Sequence, residues 1–116
     1  MSIEAEDILK YIEKQIEFKM KVTVRDVALH FGLTRQQFTK IFQRKFHVLP
    51  KKYIEQREFL HWRHYLAEKR DSELHQIYRE LGTCPRTFFR RIKKFSHQNP
   101  RNYREVLYIR AQFTSI

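Results

Sequence analysis

Apolar residues recur three and four positions apart along most of the chain, the spacing that gathers them on one face of an α-helix. Between residues 6 and 18, Ile8, Leu9, Ile12 and Ile16 predict an N-terminal helix that covers a neighbouring core. Val24, Val27, Ala28 and Phe31 predict a second helix, with Thr23 placed to cap its start and Gly32 to stop it. A third begins at Thr34, which forms a capping box with Gln37, and it buries Phe38, Ile41, Phe42 and Phe46. Its opposite face carries Arg35, Gln36, Thr39, Lys40 and Gln43. From Tyr53 to Lys69 one long helix shows Phe59, Trp62, Tyr65 and Leu66 on a face. About 17 residues at 1.5 Å rise span roughly 25 Å. After Tyr103 a last helix is expected through Val106, Leu107 and Ile109, with the tail to Ile116 fraying.

The pattern repeats. A shift of 50 residues pairs Val27 with Ile77, Phe31 with Leu81, Gly32 with Gly82, Phe38 with Phe88, Phe42 with Ile92, Pro50 with Pro100 and Tyr53 with Tyr103. Both glycines of the chain fall on this register. Each copy reads as a helix, a glycine turn, a second helix, then a loop ending in proline. In the second copy Asp71 or Ser72 is expected to start a helix through Leu74, Ile77 and Leu81, and Pro85 suits the first position of the next. Phe88, Ile92 and Phe95 form that helix's buried stripe and leave Arg86, Thr87, Arg90, Arg91, Lys93 and Lys94 outward. Phe89 fits neither face cleanly; packing against the linker helix is the expected place for it, and stacking on a DNA surface the alternative. Tyr78 stands where the first copy has Ala28, so the second unit is expected to be splayed or packed differently. The fold class is therefore all-α, with two helix-turn-helix units and about seven helices. The expected division is residues 1–52 for the N-terminal helix and first unit, 53–70 for the linker helix, and 71–116 for the second unit.

Composition narrows the function. The chain has 116 residues, 24 Lys+Arg against 13 Asp+Glu, a formal charge of +11, two glycines and three prolines. So few turn formers disfavour a β-sandwich or barrel. A net excess of this size calls for a polyanionic partner. The excess sits in two places: residues 34–52 hold six basic side chains and residues 86–104 hold seven, neither with an acid. Both runs fall on the second helix of a copy and the loop after it. Such side chains suit the major groove, where Arg and Lys donate to guanine edges or phosphates, Gln pairs with adenine, and Thr bonds or touches a thymine methyl. Recognition helices in successive grooves lie about 34 Å apart, a distance that the linker helix and the two offsets can bridge.

Other chemistries find less support. Cys84 is the single cysteine, which excludes an internal disulfide framework and a cysteine-based zinc site within one chain. It reads as a stand-in cap residue. Of the six histidines only His61 and His64 share a helical spacing suited to a ligand pair, without an acid to complete a site; they read as exposed linker-helix residues. Trp62 reads as core. No phosphate loop, nucleophile elbow or carboxylate pair occurs, so neither catalysis nor a cofactor or metal is expected. The N-terminus is acidic and lacks a signal-peptide pattern, and no apolar run approaches 18 residues. A soluble, cytoplasmic, nucleoid-associated protein with no membrane partner is expected.

The stretch Val24-Arg-Asp-Val-Ala-Leu-His-Phe-Gly-Leu-Thr-Arg-Gln-Gln-Phe-Thr-Lys-Ile-Phe-Gln-Arg-Lys-Phe, then Pro50-Lys-Lys-Tyr-Ile and Arg57, resembles the DNA-binding domain of AraC/XylS transcription regulators. The similarity is greatest to the stand-alone MarA/SoxS/Rob-like members. Phe88-Phe-Arg-Arg-Ile-Lys-Lys-Phe and Pro100-Arg-Asn-Tyr-Arg resemble the second-unit signature, with departures. The turn after Gly82 is one residue short of the family pattern, Thr83 stands where an aromatic is usual, and His47 and His97 replace loop glycines. The resemblance implies a monomer on an asymmetric duplex site, a contact with RNA polymerase, and regulation by abundance in a chain without room for an effector domain. By position it implies base contacts from Gln36, Thr39 and Lys40 in the first unit and from Arg86, Thr87 and Arg90 in the second. Backbone contacts are implied for Arg35, Arg44, Lys51, Lys52, Arg91, Lys94 and Arg101. The departures favour a second unit that mainly clamps the backbone. An AraC-like interaction protein, whose second unit binds polymerase or another regulator, is the alternative; a recombinase or transposase arm would need a catalytic domain as well.

Overall fold

A computed structural model describes residues 3–19, 21–69 and 71–114. Among them are seven α-helices and no strand: α1 Ala5–Lys19, α2 Val24–His30, α3 Arg35–Phe46, α4 Pro50–Glu68, α5 Leu74–Glu80, α6 Pro85–Ser96 and α7 Pro100–Thr114. The chain forms two compact units, Met1–Glu58 and Phe59–Ile116, so α4 contributes its first half to one and its second half to the other.

In the first unit, α1 closes the core as expected. Ile8, Ile12 and Ile16 are buried with Val24, Val27, Ala28, Phe38, Phe42 and Ile54. The Thr23 hydroxyl accepts from Asp26 N at 3.1 Å, capping α2. Two polar ties hold α4 to the remainder of this unit. Arg57 Nε pairs with Glu13 on α1, and Glu58, buried at 3% exposure, accepts from Val22 N at 3.4 Å.

Both units use the same stop after their first helix. Gly32 and Gly82 each lie at φ +70°, a region open to glycine because it lacks Cβ. Gly32 N bonds Leu29 O at 3.0 Å and Leu33 N bonds Ala28 O at 2.9 Å; Gly82 N bonds Arg79 O at 3.1 Å and Thr83 N bonds Tyr78 O at 3.0 Å. This is the paired hydrogen bonding of a Schellman motif. The second turn therefore has the length and bonding of the first, and its shortness against the family pattern does not open it. What differs is the packing beyond it. α2 lies alongside α3 over more of its backbone than α5 does alongside α6. The buried methyl of Ala28 permits the first approach, whereas the half-buried Tyr78 ring meets Phe88 at 5.9 Å between centroids.

Three helix starts differ from the sequence expectation. α5 begins after Glu73, not Asp71 or Ser72, and Gln76 Oε1 accepts from Glu73 N at 3.2 Å. α4 begins at Pro50 and α7 at Pro100, earlier than Tyr53 and after Tyr103 would place them. Proline suits a first helical position, because its φ is already helical and its missing N–H would have no intrahelical partner. In α7 the Asn99 side chain adds a cap, accepting from Asn102 N at 2.9 Å. Trp62 is core, as expected, with its ring 5.6 Å from Phe88. Residues 115 and 116, where a frayed tail was expected, lie outside the described residues.

His47 and His97 close α3 and α6 in the left-handed region, at φ 59° and 64°. A side chain there is strained by about 1–2 kcal/mol, and glycine recovers most of that less its own entropy. His47→Gly and His97→Gly are each expected to stabilise the fold by about 0.5–1 kcal/mol in urea unfolding. Destabilisation by either would show that the imidazole makes a contact worth more than the strain.

Candidate nucleic-acid interface

The outward face of α3 follows from its inward one. Phe38 and Phe42 are fully buried, and the Phe42 ring meets Phe46 at 4.5 Å and Tyr53 at 5.5 Å. The helix starts on a complete capping box: Gln37 N donates to Thr34 Oγ1 at 3.1 Å and Thr34 N donates to Gln37 Oε1 at 3.0 Å. With both ends of this cap fixed, Arg35, Gln36, Lys40 and Gln43 are exposed and Thr39 is half-buried.

Arg35, Gln36, Thr39, Lys40 and Lys51 line one open groove of ≈ 460 Å³. Two kinds of expected contact, base and backbone, thus share a single surface. Val24, Leu49 and Pro50 complete its wall. These three were not legible as site residues, since nothing local distinguishes them from core or loop; only the packing of α2 and the α3–α4 loop beside α3 brings them there. Arg44 and Lys52 are exposed outside the groove lining.

The second unit repeats the scheme with altered side chains. Pro85 occupies the first position of α6, and Phe88 and Ile92 are fully buried. Arg86, Phe89, Arg90, Lys93 and Lys94 are exposed on α6, and Arg101 on α7. Phe89 is 41% exposed, with its ring edge-on to Phe88 at 6.1 Å. The expectation that it closes the core against the linker helix is corrected: Phe88, one position earlier, already occupies the core against Trp62. Thr87 is half-buried and its Oγ1 accepts from Cys84 Sγ at 3.3 Å. The same hydroxyl can turn and donate to the thiolate, which holds the exposed Cys84 thiol below its ordinary pKa. Cys84 does stand at the N-cap, but its side chain makes no capping bond to backbone.

Arg91, Arg104 and Lys94 of the second acid-free run have structural partners. Arg91 is half-buried, with its guanidinium 4.8 Å from the centroid of the Trp62 ring, a cation–π geometry. Arg104 donates through Nη1 to Ser72 O at 2.6 Å. Lys94 lies 5.5 Å from the Phe95 ring centroid.

A family model for a helix-turn-helix domain, of AraC type, matches residues 27–106, which take in both glycine turns and both outward helices. The chain belongs to the AraC-type helix-turn-helix family. It is thereby a DNA-binding regulator, with double-stranded DNA as its partner. No curated protein and no solved structure shows significant similarity to it. In this AraC-type chain no helix of the described residues is long and apolar enough to cross a membrane. Of the two linker-helix histidines, His64 is exposed and lies 3.0 Å from Glu68 Oε1, whereas His61 is half-buried with Nε2 inaccessible.

Proposed function

We propose that the chain is a sequence-specific transcription regulator that lays α3 and α6 into adjacent major grooves as a monomer and contacts RNA polymerase from the bound state. The observation that carries this is the groove along α3, which joins Gln36, Thr39 and Lys40 to Arg35 and Lys51 within a run that has no acid. Bidentate Gln and a Lys donor suit purine edges, and cations at the margin suit phosphates. Arg86, Thr87 and Arg90 are the corresponding second-unit proposal for bases. Arg44, Lys52, Arg91, Lys94 and Arg101 join Arg35 and Lys51 as proposed backbone contacts. Arg91 would serve both the Trp62 ring and a phosphate.

Selection of bound duplexes from a random pool tests the reading, with footprint length separating one groove from two. Gln36→Ala and Lys40→Ala are expected to relax base preference at one or two positions of the selected site, each costing about 1–3 kcal/mol of discrimination. Equal loss on selected and random duplex for both variants would sink base readout by α3.

One observation favours the interaction-protein alternative. Ile109 and Phe113, four residues apart on α7, are both exposed large apolar side chains. If they form a polymerase-binding or regulator-binding face, Phe113→Ser should leave duplex affinity intact and abolish transcriptional response.

A further inference from the structure

α3 and α6 correspond residue for residue. Each has 12 residues, each follows an identically bonded glycine turn, and each ends on a left-handed histidine. Counting from their first residues, Gln36 corresponds to Arg86, Lys40 to Arg90, Gln43 to Lys93, and Thr39 to Phe89. Thr87 corresponds to Gln37, and both are engaged with the residue at their own N-cap: Gln37 with Thr34, Thr87 with Cys84. Thr87 thus engages the cap of α6, and the position equivalent to Thr39 of the first unit belongs to Phe89.

We propose that Phe89 is a specificity-determining residue of the second unit and contacts the 5-methyl group of thymine in the major groove. The proposal rests on the duplex-reading function above. Phe89 is an exposed aromatic within a run of seven cations and no acid, with Arg86 three residues before it, Arg90 beside it and Lys93 four residues after. Those neighbours favour a polyanion as the partner of this face. Among the groups that line the major groove of a duplex, the thymine methyl is the apolar one, and phenylalanine is among the side chains that contact it. The edge-on contact with the fully buried Phe88 gives the ring a fixed support. The geometry therefore assigns the second unit a thymine next to the bases read by Arg86 or Arg90. This makes α6 a reader of bases as well as a clamp on the backbone.

Replacing each thymine of the selected duplex by deoxyuridine removes the methyl and nothing else. With the wild-type chain, at least one such replacement in the half-site protected by α6 is expected to weaken binding about fourfold, the equivalent of ~0.8 kcal/mol for one buried carbon. Phe89→Ala, at an exposed position, should fold normally by circular dichroism, bind the thymine duplex about fourfold more weakly, and become indifferent to that replacement. Deoxyuridine in the α3 half-site should affect both chains alike. A selected duplex whose α6 half tolerates every deoxyuridine, or a Phe89→Ala chain that keeps the full methyl sensitivity, overturns the proposal while leaving duplex reading intact. Failure to enrich any duplex overturns both.

Discussion

Phe42→Ala is expected to remove about 3–5 kcal/mol of folding stability from the first unit. Phe42 is fully buried, and its ring touches Phe38, Phe46 and Tyr53, so it joins α3 to the start of α4. Truncation forfeits the transfer free energy of the ring and leaves a cavity that neighbouring helices refill only in part. Small domains hold about 5–15 kcal/mol in total, and a unit ending at Glu58 belongs toward the lower end. The variant should therefore be largely unfolded in the first unit near 37 °C. Urea unfolding followed by circular dichroism measures it, with Phe18→Ala as the control: Phe18 is exposed on α1, and its loss should fall within about 0.5 kcal/mol. A cost below about 1 kcal/mol for Phe42→Ala would contradict the core described here.

Duplex affinity is expected to collapse with salt. Each phosphate neutralised by a cation releases condensed counterions, and log K falls with log salt by about 0.9 per contact on B-DNA. With seven backbone contacts proposed, the slope should lie near −6, which means a loss of roughly 10³–10⁵ in affinity between 50 and 200 mM salt. Lys51→Ala is expected to weaken selected and random duplexes about equally and to reduce the slope by about one. Lys51 is the informative choice because it is exposed, lines the groove beside Gln36 and Lys40, and lies in the first turn of α4. Arg91→Ala should behave differently, losing folding stability with the cation–π contact to Trp62. A slope shallower than about −3 would mean that most of these cations stand away from the phosphates.

Local features of this chain were readable without coordinates. The stripe from Ile8 to Ile16, the caps at Thr23 and Thr34, the two glycine turns and the left-handed histidines all depend on residues within a few positions of one another. Hydrogen bonds from i to i+3 or i+4 and the φ limits of a single residue act at that range. The register of 50 residues even pairs Thr39 with Phe89, yet a hydrophobic residue beside Phe88 reads as core until the rotation of α6 about its axis is known. That rotation is set by which ring the core accepts, and the core is assembled partly from Trp62 and Tyr78 on other helices.

The same distinction holds for charge. The sequence by itself determined that basic residues gather in two acid-free runs, each on the second helix of a repeated pair and the loop after it. Only the tertiary structure decided how each of those side chains is employed. It joined Lys51 to Gln36 and Lys40 across a groove walled by Val24 and Leu49, laid Arg91 over Trp62, and tied Arg104 to Ser72. It also placed Thr87 against Cys84 and left Phe89 facing outward. The physical reason is range: a cap or a turn is closed by neighbours in the chain, whereas the orientation of a helix face is closed by residues tens of positions away, whose approach the local pattern does not encode.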